Sequence, residues 1–262
     1  MTKRIGKEIL VIGDPHATPK HNNDRFEWLG NFIVEKQPDI IVNIGDMASM
    51  DSLSSYDKGS IHAEGNRYDH DIEAVIDAQE RMDKPIREYN KVMTKKKHLK
   101  KYNPKKVITL GNHEQRIIRA SSQDPALHGK LSIDDLQYKE HGWDVYPFLN
   151  PYIVNDIAFS HYATSGIMAR PISGDNAAAN LVKKGFHSTV VGHSHLRGYF
   201  ETTDTARGRL FGLVAGCYFD FDDSYTTENH RNWRGLVMLH EAQDGSCEPA
   251  WYSMSYIKQR YS

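Results

Sequence analysis

At 262 residues the chain is long enough to bury a sizeable core without disulfide or structural-metal staples. Hydrophobic residues make up 39% and charged residues 26%, an ordinary globular composition. A formal net charge of -1 sets up no global field for a nucleic-acid or membrane partner, so any electrostatic steering must come from local patches.

Lys3, Arg4 and Lys7 give the N-terminus a basic flavour, but the apolar stretch from Ile9 to Gly13 is too short for a signal peptide. Nothing approaches the roughly 20 apolar residues of a membrane span. Two cysteines, Cys217 and Cys247, without C-x-x-C spacing, fit a reducing compartment, with a single disulfide left open. The expectation is a cytoplasmic protein without a membrane partner. It reads as one domain over residues 1–262, with an insertion at about 47–68; the sequence does not specify oligomeric state.

In chain order, Glu8 to Gly13 predicts a buried strand that runs into Asp14-Pro15-His16. Arg25 to Lys36 carries Phe26, Leu29, Phe32 and Ile33 at helical spacing and is closed by Pro38. Asp39 to Ile44 is a second buried strand, ending in Gly45-Asp46. Met47 to about Gly65 is polar and unpatterned, a loop or insertion. Helical pattern returns from about Asp69 to Leu99, with Pro85 expected to break or kink it. Val107 to Leu110 is a third strand, ending in Gly111-Asn112-His113-Glu114. A helix should follow, with Glu114 in its first turn complementing the dipole. Pro151 to Ser160 predicts one strand delivering His161, Asn176 to Lys184 a helix, and Ser188 to Val191 a strand delivering Gly192-His193-Ser194-His195. Arg209 to Tyr218, Gly235 to His240 and Pro249 to Tyr256 read as further strands. Alternating elements early and strands late point to a layered α/β sandwich with mixed sheets.

Five strand ends thus stop at metal-competent side chains: Asp14 and His16; Asp46; Asn112 with His113; His161; His193 and His195. A strand is a rigid support and the loop beyond it is free to present polar groups. Singly, each has a bland reading. D-x-H or G-D after a strand is turn chemistry more often than ligation, a G-H-S-H pair can be two solvated histidines, and N-H-E can be a helix cap. Jointly the bland readings are poor, because all five would have to coincide in one chain.

The order D-x-H, G-D, G-N-H-E, H, G-H-x-H over residues 14 to 195 resembles the calcineurin-like metallophosphoesterase superfamily. The G-N-H-E and G-H-x-H motifs in series carry most of that specificity. The resemblance implies a four-layer α/β/β/α sandwich with a dinuclear metal site at the sheet rim. It implies one ion on Asp14, His16, Asp46 and His195 and another on Asp46, Asn112, His161 and His193, with Asp46 bridging. Oxygen and imidazole donors without thiolates suit Mn, with Fe, Zn, Ni or Co as alternatives, and argue against a structural zinc knuckle. Two ions about 3.5–4 Å apart would activate a bridging hydroxide for in-line attack on phosphorus. His113 resembles the family histidine that binds phosphate or protonates the leaving group. Arg116, in G-N-H-E-x-R, resembles a phosphate-holding arginine; the alternative is an exposed first-turn helix residue.

One departure bears on substrate. The Ser/Thr protein-phosphatase branch carries G-D-x-V-D-R-G at its second motif, whereas this chain reads Gly45-Asp46-Met47-Ala48-Ser49. His113 therefore lacks the orienting aspartate, with Asp51 a candidate substitute. A run from Lys95 to Lys106 carries seven lysines and can hold a nucleic-acid backbone or simply be a solvated helix end. Tyr199, Phe200, Tyr218, Phe219, Phe221, Tyr225 and Trp233 include candidates for stacking on a nucleobase, although most should be core. Asp220, Asp222 and Asp223 would repel a phosphate backbone and are expected to face elsewhere or form a loop. Met50 to Tyr68, with His62, Glu64 and Arg67, is a specificity lid or an exposed insertion. The leading expectation is hydrolysis of a phosphodiester in DNA, RNA or a nucleotide. A phosphomonoesterase acting on proteins or small metabolites is the alternative, and a non-catalytic metal-binding interaction module the third reading.

Overall fold

The computed structural model describes residues 6–95, 100–206, 208–222 and 229–262. The first half alternates strand and helix: β1 (Lys7–Ile12), α1 (Asp24–Lys36), β2 (Ile40–Asn43), α2 (Tyr68–Lys95), β3 (Lys105–Thr109), α3 (Gln115–Gln123) and β4 (Trp143–Tyr146). Next come β5 (Tyr152–Val154), β6 (Ile157–Phe159), β7 (Thr164–Ser165), β8 (Arg170–Pro171), α4 (Ala177–Gly185) and β9 (Ser188–Val191). The chain ends with β10 (Arg197–Asp204), β11 (Gly208–Ala215), β12 (Gly235–Gln243), β13 (Ser246–Ser253) and α5 (Met254–Tyr261).

The strands form a six-stranded mixed sheet in the order β13-β12-β1-β2-β3-β4, a five-stranded mixed sheet in the order β10-β11-β9-β6-β5, and a small β7-β8 hairpin. β1 to β4 run parallel, which forces helical crossovers between them. Successive side chains of β1 point to opposite faces, and both faces are covered. Leu10 and Ile12 join Phe26, Leu29, Phe32, Val75 and Met82 under α1 and α2, while Ile9 and Val11 meet Phe159, Val190, Phe211 and Leu213 of the second sheet. α4 covers the far side of that sheet through Ala178 and Leu181 against Val191 and Val214. The layering is therefore α/β/β/α.

Several local expectations are corrected. α2 runs unbroken through Pro85, which is buried; tertiary packing along a 28-residue helix compensates for the one lost backbone bond. Pro151 to Ser160 is a hairpin rather than one strand, because Asn155 and Asp156 both take positive φ (50° and 58°) and reverse the chain. The segment beginning at Met47 is not an exposed loop throughout, since Met47, Ala48, Ser49 and Met50 are all buried. The C-terminal strand stops at Ser253, whose side chain accepts from the Tyr256 N–H and caps α5. Cys217 and Cys247 are buried thiols that are not joined in a disulfide. No helix among the described residues is long and apolar enough to cross a membrane.

Candidate metal centre

β1, β2 and β3 are mutually parallel, as are β6 and β9, so the carboxyl ends of each set lie at one rim. Loops leaving such ends are where α/β sheets place ligand-binding groups. β1 delivers Asp14 and His16, β2 Asp46, β3 Asn112 and His113, β6 His161, and β9 His193 and His195. The backbone is tightly turned there: Asp14, His16, Asp46, His193 and His195 have φ of 34°, 47°, 51°, 66° and 56°. Left-handed conformations cost non-glycine residues of order 1 kcal/mol and persist only where the surroundings enforce them.

The side chains converge. His161 Nε2 lies 3.3 Å from Asp46 Oδ2 and 2.8 Å from Asn112 Oδ1, and His193 Nδ1 lies 3.2 Å from His161 Nε2. The other ring nitrogen of His161 is held 3.0 Å from the Ile44 carbonyl, which aims Nε2 inward. On the other side of Asp46, His16 Nε2 and His113 Nε2 stand 4.0 and 3.8 Å from Oδ2. His195 Nε2 is 3.2 Å from Asp14 Oδ2. Among the described residues, three donor groups each have ligand atoms within 4.8 Å of one another: Asp14, His16 and His195; His16, Asp46 and His113; Asp46, His161 and His193.

Two buried donor atoms here, Asp14 Oδ1 and His16 Nε2, have no hydrogen-bond partner. An unsatisfied buried polar atom is costly unless something else engages it. Burial tends to raise the Asp46 carboxyl, but His161 and His113 outweigh it and hold it well below the usual carboxylate range. Burial likewise lowers His161, yet Asp46 and Asp14 prevail and raise it to about 9. The protein alone thus gathers negative charge and compensates it with imidazoles, the electrostatics of a cation site.

The glycines of two motifs have a steric reason. A Cβ at Gly111 would lie 2.1 Å from Asp46 Oδ1, and one at Gly192 would lie 2.3 Å from Asp14 Oδ1. Each carboxylate packs where only hydrogen fits and takes a backbone N–H nearby: His113 N to Asp46 Oδ1 at 2.9 Å and His193 N to Asp14 Oδ2 at 2.7 Å.

Two supports escaped sequence reasoning. Glu114 sits at the N-cap position of α3 rather than within its first turn, and it does more than complement the dipole. Its buried carboxylate accepts from the N–H groups of Asp46, Ala48 and Gly111 and from the Tyr138 hydroxyl, at 2.8–3.1 Å. Arg25 on α1 is 1% exposed and donates to the carbonyls of Pro15, His16, Asn22 and Tyr218, tying α1 to the β1 loop and to the chain after β11. The E of G-N-H-E was the available signal for Glu114; Arg25 had none, since it sits in an ordinary helical pattern.

The surroundings of His113 differ from expectation. Its Nδ1 is 2.6 Å from the Ser49 carbonyl, so Nδ1 carries the proton and the backbone does the orienting expected of Asp51. Asp51 instead pairs with Lys20 at 2.9 Å. Burial lowers the His113 imidazole, and the pull of Asp46 does not offset it. Arg116 is buried, not exposed. It donates to the Ser49 and Met50 carbonyls at 3.0 and 3.3 Å, and its Nη2 lies 3.3 Å from His113 Nε2.

Lys105 and Lys106 of the basic run lie away from the centre: Lys105 opens β3 and Gly111 lies beyond its end, so these two lysines sit at the opposite rim, roughly 15–20 Å away. Lys105 and Lys106 pair with Asp144 and Asp83. Lys96, Lys97 and His98 lie outside the described residues, as do Asp223 and Tyr225. Of the late aromatics, Tyr218 is core and bonds Arg25, Trp233 packs on Trp251, and Phe219 and Phe221 line a cleft beside His16. Asp220 and Asp222 lie in the loop that follows β11, one of the two expectations for them, and Asp222 lines that same cleft.

The family model for the calcineurin-like phosphoesterase matches residues 7–212, more than three quarters of the chain. The Gene 54 protein of Mycobacterium phage L5 is 26% identical over 199 residues, covering 74% of this chain and 71% of that protein. Among solved structures, nuclease MPE of Pseudomonas putida aligns with TM-score 0.41 and 14% identity over 92% of this chain and 87% of that one. Yfce, a phosphoesterase from E. coli, aligns with TM-score 0.37 and 14% identity over 94% and 99%. On the strength of the family match, the chain belongs to the calcineurin-like phosphoesterases, hydrolases of phosphate esters that use divalent metals.

Proposed function

We propose that this phosphoesterase hydrolyses a phosphodiester of a nucleotide or nucleic acid at a centre of two divalent cations that share Asp46. The observation that carries the proposal is the position of Asp46 Oδ2. It has His161 Nε2 at 3.3 Å in one donor group and His16 Nε2 at 4.0 Å in another. Asp14, His16, Asp46 and His195 would hold one cation, and Asp46, Asn112, His161 and His193 the other. The orphaned Asp14 Oδ1 and His16 Nε2 fit that use, and the oxygen–imidazole set suits Mn best. Bound there, the cations supply Lewis-acid polarisation of the phosphoryl oxygens and an acidified water.

The chain's own residues then position the ester. His113 keeps its Nδ1 proton on Ser49, so proton exchange with substrate is confined to Nε2. Asn112 and His113 present their polar ends toward the phosphoryl group. Arg116 contributes by holding His113 and the Ser49–Met50 backbone, because its guanidinium is committed to those carbonyls. That commitment favours a diester over a monoester, because a free guanidinium would do more for a dianionic monoester than for a monoanionic diester. With Mn²⁺, bis-p-nitrophenyl phosphate should be turned over at least ten-fold faster than p-nitrophenyl phosphate. The reverse order would establish a phosphomonoesterase, and inactivity with Mn²⁺, Fe²⁺, Zn²⁺, Ni²⁺ and Co²⁺ alike would refute catalysis.

A second expectation needs no turnover. Saturating Mn²⁺ at about 100 times Kd should stabilise the fold by about 2.7 kcal/mol. In a chain of this size that corresponds to a rise of about 5–10 °C in Tm. The rise should disappear when Asp14 and His161 are both changed to Ala. A rise that survives in that double variant would place the cations elsewhere.

A further inference from the structure

Beside the centre lies a cleft of about 330 Å³, the low end of small-molecule sites. It shares His16, Ser49 and His113 with the centre and continues outward past Thr18, Lys20 and His21. One wall is a ladder of rings. Phe219 stands edge-on to His16 and His195 at 5.5 and 5.3 Å, Phe221 stacks on Phe219 at 4.9 Å, and His21 stacks on Phe221 at 3.9 Å with an interplanar angle of 8°. Phe219 is buried, Phe221 half-buried and His21 exposed, so the ladder leads from the metal-competent residues to solvent.

Charge in the cleft limits what it can take. Its lysine, Lys20, is committed to Asp51 at 2.9 Å, and Asp222 on the opposite lip pairs with Arg234 at 2.6 Å. Burial and the neighbouring Arg25 lower the His21 imidazole, which disfavours its charged form. A groove that tracks a nucleic-acid backbone needs uncommitted cations for successive phosphates. This one offers the exposed ring of His21, backed by Phe221, and no uncommitted cation, which suits an uncharged heterocycle.

Building on the phosphodiesterase reading, we propose that this cleft is a nucleoside subsite: the base of a single nucleotidyl group stacks on the outer face of the exposed His21 ring, which Phe221 backs, while its phosphate lies at the Asp46 centre. The substrate is then a mononucleotide ester or a chain end, taken one nucleoside at a time. Phe221 and His21 determine specificity, and neither touches the reacting atoms.

The test compares two Mn²⁺-dependent reactions with the same leaving group and charge. One substrate is the p-nitrophenyl ester of thymidine 5′-phosphate and the other is methyl p-nitrophenyl phosphate. The nucleoside ester should have the higher kcat/KM by about 5- to 100-fold, the range that base–aromatic stacking supplies. Phe221→Ala and His21→Ala should each lower that ratio at least about 3-fold, mainly through KM. His21 is exposed, so its variant carries the test if Phe221→Ala folds poorly. A ratio near one in the wild type, or one unchanged in both variants, would overturn the proposal. So would cleavage of a circular oligothymidylate, which has no chain end, at least ten-fold faster than the nucleoside ester. If neither diester turns over, the phosphodiesterase reading falls, and calorimetry on the Mn²⁺-loaded protein judges the cleft by itself. Thymidine monophosphate should bind at least ten-fold more tightly than methyl phosphate, and His21→Ala should erase the difference; equal binding in the wild type would overturn the subsite.

Discussion

Asp46→Asn should lower kcat/KM for a diester by about 10³-fold or more while leaving the chain folded. The estimate takes several kcal/mol for the transition-state stabilisation that a bridged cation pair supplies, at tenfold per 1.36 kcal/mol. Asparagine keeps the shape of aspartate and retains an oxygen for the His113 N–H bond at 2.9 Å, so the tight contact with Gly111 survives. What is lost is the charge that faces both donor groups. Metal analysis should show the variant falling from two bound Mn²⁺ per chain toward one. Asp46→Asn retaining both two ions and the wild-type rate would end the shared-carboxylate reading.

The largest effect on the fold itself is expected at Glu114. Glu114→Ala removes one carboxylate and strands three backbone N–H groups and a buried phenol, all of which it now satisfies. Leaving buried donors unpaired costs about 1–3 kcal/mol each, so a total of about 4 kcal/mol or more is expected, well beyond a typical substitution. Denaturant midpoints measured on the metal-free protein isolate this loss from any effect on cation binding. A midpoint equal to wild type would mean that the Asp46–Ala48 and Gly111 loops are held some other way. Glu114 is best understood as the clamp that keeps the β2 and β3 loops in register with one another.

Much of the centre was legible because its signals are local. Each metal-competent residue follows a short apolar run directly, so spacing alone placed Asp14, Asp46, Asn112, His161 and His193 at strand ends. The order of those motifs also indicated the layered fold. What misled sequence reasoning was also local. Pro85 predicts a break only if packing is ignored, and Pro151–Ser160 lacks glycine at its turn, where Asn155 and Asp156 supply the positive φ instead. Lys105 and Lys106 precede a motif in sequence, yet they sit at the other end of the strand that delivers it.

The sequence by itself determined which elements form, the order of the donor residues and the chemistry of their side chains, because periodicity and residue type act over a few positions. Only the tertiary structure decided who meets whom. Arg25 reaches Tyr218 across 193 positions, and Glu114 reaches Asp46 across 68. It decided that Arg116 supports His113, that Ser49 rather than Asp51 orients it, and that Phe219 and Phe221 wall a cleft next to His16. The physical reason is that these contacts are set by how two sheets stack and where parallel strands end, and a buried polar group takes whichever partner that packing brings within reach.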